Sequence, residues 1–277
     1  MLATIVGAMQ ASAAVILVPV EVLDNYKRLV AGRAPAGIRD FRGLGSSREV
    51  VEVILLLQAL DAGGYSQEIR LRTSPGVGET LRALASGQAH LSGTTFWKDD
   101  LQKFKPRINP SFSLFRDSEY QVGLYGCRGR VGAASEVDLA SLTLVADRLH
   151  TVQWSALQGA GFKSLTSAES WLTRVRMVCL GRVDATVADF PASSSLTIEG
   201  GGFGLEAYPG IKLIIAASRH YAISSAASRS ESVALSLNRG LKIVRRKGIV
   251  RRAMAHSGFH HPKASDWREV VLAPAEE

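Results

Sequence analysis

Cysteine is nearly absent from this sequence. Two residues, Cys127 and Cys179, among 277 are too few for a disulfide-stapled scaffold or a four-cysteine metal site. They leave two readings open: a single bridge formed in an oxidising compartment, or two thiols packed as small apolar side chains. Long apolar runs are lacking too. After the first thirteen residues no stretch reaches the roughly eighteen that a membrane-spanning helix needs, so no span is expected. Acids fall short of bases, 25 against 33, which gives a formal net charge of +8. That deficit excludes a strongly acidic surface and favours anionic partners. A soluble chain with a basic exterior is the plainer reading.

Catalytic signatures are also missing. Neither G-x-x-x-x-G-K-[ST] nor G-x-S-x-G occurs, which removes the P-loop and the nucleophile elbow. "GVGETL", Gly76 to Leu81, opens like a dinucleotide fingerprint but carries Leu81 where a small residue is required. His256, His260 and His261 have no acid spaced with them, so no metal site is expected. Nothing places Cys127 beside His150 as a thiolate pair. No catalytic residue, cofactor or metal is therefore assigned. The basic run "RRKGIVRR" has no aromatic platform with it and reads as a solvated helix end; no nucleic-acid partner is expected.

What is present suits a globular chain: 46% hydrophobic and 21% charged residues. The first thirteen residues, "MLATIVGAMQASA", are uncharged and end Ala11-Ser12-Ala13. Residues 1–13 resemble a secretory signal peptide, though no Lys or Arg stands near Met1; a buried strand is the alternative. Ser46-Ser47-Arg48-Glu49 reads as a capping box ahead of "VVEVILLLQALDAGGY", a helix stopped at Gly63-Gly64. "EIRLRTS" alternates like a strand. A helix over 79–85, then Gly87 and a strand over 89–93, follow.

The second half repeats this order. A strand within "SLTLVADRL" precedes a helix capped by Thr151, then "KSLTSAES", the helix "WLTRVRMVCL", Gly181 and the strand "RVDATVADF". Gly87 answers to Gly181 at an offset of 94 residues, and Gly64-Tyr65 to Gly161-Phe162 at 97. Two strand–helix–strand–helix–strand units with parallel sheets are expected. "IKLIIAAS" adds an apolar strand. Two helices parted at Gly248 follow, the first with Leu235, Leu237, Leu241, Ile243 and Val244 on its apolar face.

The segments "LRALASGQAHLSGTTFW", "LFRDSEYQVGLYG", "CLGRVDATVADF" and "SRHYAISS", with the closing "VALSLNRGLKIVRRKGIVRRAM", carry a resemblance to the type II periplasmic binding proteins. It spans about 38–258; residues 15–37 fit it poorly. The resemblance implies an α/β, two-lobed fold crossed twice by the chain, near 113–120 and 213–219. Lobe one would be 14–114 plus 217–277, and lobe two 115–216. It implies an exported, periplasmic and monomeric protein that closes on a small-molecule ligand, an amino acid, carboxylate or similar, and presents it to a membrane transporter permease. An enzyme on the same fold, or a sensing domain, are the alternatives.

In such sheets ligands sit beyond the strand carboxyl ends. Thr94, Thr95 and Trp97 stand at one such end, Asp189 and Phe190 at the matching one. In amino-acid-binding members an acid near Asp189 holds the ligand amine; the competing reading is a turn cap before Pro191. Ser46, Ser47 and Thr151 open helices and offer anion sites as well as caps, with His150 at the rim. Trp97 and Trp154 read as cleft walls or as core. The arginine that amino-acid binders of this family carry after the threonine pair is replaced by Lys98-Asp99-Asp100.

Overall fold

The computed structural model describes residues 13–132 and 137–274. Of the candidate signal segment, 1–13, only Ala13 lies within them.

The chain starts with the strand β1 (Ala14–Pro19) and helix α1 (Val20–Val30). The run Ala-Val-Ile-Leu-Val-Pro is apolar without alternation because β1 is the inner strand of a parallel set, covered on both faces. Helix α2 (Arg48–Ala62) follows, then β2 (Ile69–Ser74), α3 (Val77–Ala85), β3 (Leu91–Trp97), α4 (Lys98–Gln102) and β4 (Ile108–Pro110). The cap of α2 is Ser47, whose hydroxyl accepts from the Val50 amide, one position later than the expected box. Ser46 instead donates its hydroxyl to the Phe41 carbonyl.

The middle of the chain forms β5 (Tyr120–Cys127), β6 (Thr143–Ala146), α5 (Thr151–Gln158), β7 (Ser164–Ser167), α6 (Trp171–Cys179), β8 (Ala185–Ala188), β9 (Thr197–Gly200) and β10 (Phe203–Ile215). It closes with β11 (Arg219–Ser224), α7 (Ser230–Arg246), α8 (Ile249–His256) and β12 (Arg268–Leu272).

Two sheets result, ordered β2-β1-β3-β11-β4 and β12-β10-β5-β8-β6-β7, with β9 on β10. The internal repeat is visible in them. Units β2-β1-β3 and β7-β6-β8 are parallel and have the same order. The glycines that marked the repeat sit at equivalent left-handed positions after helices, with φ of 85° and 78° at Gly64 and Gly161, and 78° and 72° at Gly87 and Gly181. A side chain with a Cβ is strained there, which is why glycine recurs.

The chain passes between sheets at 111–119 and at 216–218, and a bridge from Phe115 to Arg219 ties the two passages together. A third passage, after α8, was not expected. It carries β12 into parallel pairing with β10 in the second sheet. Assigning 217–277 wholly to lobe one therefore fails at its C-terminal strand, whose backbone satisfies the open edge of β10.

Helix α7 buries Val233, Leu237, Gly240, Leu241 and Val244 against α2, whereas Leu235 is exposed. Cys127 and Cys179 are bridged, joining the end of β5 to the end of α6. Among the described residues no helix is long and apolar enough to cross a membrane.

Candidate ligand site between the lobes

A cavity of about 380 Å³ opens where α2, α5 and the tip of β8 converge with the first residues of β5 and β11. Its charged lining comes from both halves of the chain: Arg48 and Glu49 from α2, Asp147 and Arg174 beside α5 and in α6, Asp189 after β8, and Arg219 at the start of β11.

Arg48 is the first residue of α2 and points into the gap because Ser47 fixes the helix start. Its guanidinium donates to Glu52 at 2.6 Å and to Asp189 at 2.6 Å, and lies 5.4 Å from the Tyr120 ring centre. The Arg48–Asp189 pair thus links the two sheets' flanks directly. Tyr120 donates its hydroxyl to the other Asp189 oxygen at 3.2 Å, and burial pushes that hydroxyl's pKa up. Glu52, fully buried, also accepts from the Thr95 amide at 2.8 Å and the Thr95 hydroxyl at 3.0 Å.

Arg219 is built differently. It is 8% exposed and sits over the Trp97 and Tyr120 rings at 4.6 and 4.9 Å. Its Nε donates to the Thr95 hydroxyl at 3.0 Å and its Nη2 to the Thr95 carbonyl. Among the described residues no carboxylate lies within 4.0 Å of it. In lobe two, Asp147 accepts from the Leu149 amide at 2.9 Å and faces Arg174 at 3.5 Å. Burial, and then the field of Arg219, hold the His150 pKa below its ordinary value.

Of the residues singled out by sequence, Asp189 and His150 line this cavity. Asp189 is held by Arg48 and Tyr120, so neither the turn-cap reading nor a free amine acceptor describes it. Thr95 is 3% exposed and spends its polar atoms on Glu52 and Arg219. Trp97, 2% exposed, backs Arg219 instead of forming a wall. Thr94 alternates to the other face of β3. Phe190 is 2% exposed and packs on Trp267 and Tyr125 in the lobe-two core. Ser46 and Ser47 serve the turn and cap already described. Thr151 is the first residue of α5, not its cap, and donates to Asp100 in a separate contact between the lobes. Trp154 is half-buried against the main core.

Sequence reasoning missed Arg48, Glu52, Tyr120, Arg174 and Arg219. One signal was available: Arg48 and Glu52 stand at i,i+4 at the head of an apolar run, where an unpaired acid would be costly. The three C-terminal histidines do not converge. His256 places its Nδ1 beside Asp40 and the Phe41 amide, His260 meets the Glu119 carbonyl, and His261 meets the Ser193 carbonyl.

Two α/β lobes of matching strand order, joined by adjacent passages, with a charged cavity between them at the strand tips, define the fold of the type II periplasmic binding proteins. No protein-family model matches the sequence, and no curated protein sequence matches it. Solved structures do match in fold. The "probable amino-acid ABC transporter extracellular-binding protein ytmK" of Bacillus subtilis aligns over 90% of this chain and 100% of its own, at TM-score 0.56 and 11% identity. The GluR0 ligand-binding core of Nostoc punctiforme, in complex with L-glutamate, aligns over 89% and 99%, at TM-score 0.52 and 13% identity. The Bordetella pertussis BvgS periplasmic VFT2 domain aligns over 92% and 93%, at TM-score 0.54 and 14% identity. This chain spans 44% of the longer BvgS periplasmic domain.

Proposed function

We propose that the chain is an exported solute-binding protein. It captures a small anionic molecule between its lobes by hinge closure about the three passages, and presents it to a membrane transporter. Arg219 carries this reading: a buried guanidinium beside two aromatic rings, with no acid within 4.0 Å among the described residues and open to the cavity. An unpaired buried cation is costly, and an anionic ligand offsets that cost. Its planar fork suits a carboxylate. Ligand contacts from both lobes favour the closed arrangement. Likeness in fold to extracellular transporter proteins and the Cys127–Cys179 bridge, stable in oxidising compartments, support the transport and export parts.

A larger cavity of about 510 Å³ lies behind the passages, but its Lys212 and Arg245 are already neutralised by Glu269 and Glu119.

The test is a thermal-shift screen of carboxylates, amino acids, phosphate, sulfate and polyamines. A ligand at a hundredfold its Kd adds about 2.7 kcal/mol of stability. Arg219→Gln is expected to weaken an anionic ligand roughly 10–100-fold. Stabilisation by polyamines alone, or an affinity indifferent to Arg219→Gln, refutes the reading.

A further inference from the structure

The hydrogen-bonding groups around the cleft are unevenly satisfied. The carboxylates set deeper in it are held by the chain itself. Asp189 takes Arg48 on one oxygen and the Tyr120 hydroxyl on the other. Both Glu52 oxygens receive donors, from Arg48 and Thr95. Asp147 is held by Leu149 N and Arg174; Glu49, at the rim with 45% of its side chain exposed, lies 3.5 Å from the Arg48 Nη2 as its nearest cation. The donors show the reverse. Arg219 has no acid, and its Nη1 has no protein acceptor among the described residues. Two enclosed polar atoms also lack a partner, Arg174 Nε beside the cavity and Trp97 Nε1 behind Arg219, and both are N–H donors.

The surplus is therefore of donors. A ligand ammonium finds only the exposed rim carboxylate Glu49 open; to reach Asp189 it must displace Arg48 and leave that guanidinium buried, while sharing the cavity with Arg174 and Arg219. An anion meets the open Nη1 of Arg219 and displaces nothing.

We infer that the cleft selects anions that carry no ammonium group, such as hydroxy acids, oxo acids and dicarboxylates, over the corresponding α-amino acids. Arg48 is the specificity-determining residue, because it occupies the one carboxylate contributed by lobe two that reaches across to lobe one. This deepens the proposed binding function and rests on it.

Calorimetric titration of the full chain with matched pairs tests it: 2-oxoglutarate against L-glutamate, L-malate against L-aspartate, pyruvate against L-alanine. In any pair that binds, the compound without nitrogen is expected to bind tighter by about tenfold or more. Binding of sulfate or inorganic phosphate with no amino acid also supports the inference. An amino acid binding as tightly as its partner, or tighter, overturns it. If that affinity still drops in Arg219→Gln, the binding function stands alone. No binding by any of these probes overturns both.

A second measurement addresses Arg48. Arg48→Met frees Asp189, and the preference is expected to shift toward the amino acid by about tenfold. An unchanged ratio in a folded variant removes Arg48 from the role. The wild-type comparison stands whether or not that variant folds.

Discussion

Glu52 shows how far one side chain's neighbours decide its meaning. It lies in "VVEVILLL", where the pattern alone reads as a helix with an acid on it. In the fold it is fully buried, takes Arg48 at 2.6 Å, and receives the Thr95 amide and hydroxyl from 43 residues further on. Its backbone carbonyl accepts the Tyr221 hydroxyl at 2.6 Å. One residue thus ties α2 to both β3 and β11. An unpaired buried ion is costly, and removing one partner leaves the other exposed to the whole desolvation penalty. Glu52→Gln turns one acceptor into a donor that faces donors. It is expected to lower stability by about 3–5 kcal/mol, read as a fall in the urea midpoint at unchanged slope. A loss below about 1 kcal/mol contradicts this account. The i,i+4 pairing with Arg48 was legible in the sequence. Thr95 and Tyr221 as partners were not, because nothing local encodes a contact between distant strands.

At the scale of elements, the packing of α2 on α7 sets two principles against each other. Gly240 sits inside α7, where helix propensity favours alanine by about 1 kcal/mol. A Cβ there would meet the Ala59 carbonyl oxygen at 1.6 Å, and one on Gly63 would meet the Ser236 carbonyl at 1.9 Å. The two helix backbones touch, and no rotamer change relieves a contact with backbone. Packing wins: Gly240→Ala is expected to destabilise by about 2–3 kcal/mol, seen as a lower Tm. A higher Tm would show that propensity governs and the helices are further apart. The elements that sequence reasoning found were those with a signal at each end, such as α2 with Ser47 and its terminal glycines. Helix α1 begins after Pro19 with no side-chain cap, and β1 lacks alternation; both escaped for want of local markers. Strand β12 escaped because its partner, β10, lies across the molecule.

The whole molecule carries six histidines, and each has its pKa held below the ordinary value, with burial the leading cause. His90, His220 and His261 are less than 9% exposed. A depressed histidine is neutral when folded, while the unfolded chain takes up protons below about pH 6.5. Unfolding therefore binds protons, and stability is fully present above that pH and lost as pH falls toward the folded values. The Tm is expected to be flat from about pH 7 to 8 and to drop from about pH 6.5 to 5; a Tm that rises on acidification refutes it. The periodicity of apolar residues and the positions of glycine by themselves determined the α/β class and the two repeated units, since these depend on near neighbours along the chain; two lobes followed only from the resemblance. Which charges face one another across the cleft, that Arg48 rather than a ligand holds Asp189, that Arg219 lacks an acid, and that β12 returns to the second sheet were decided only by tertiary structure. Each depends on distances between segments far apart in sequence, and charge pairing in a buried site is settled by those distances.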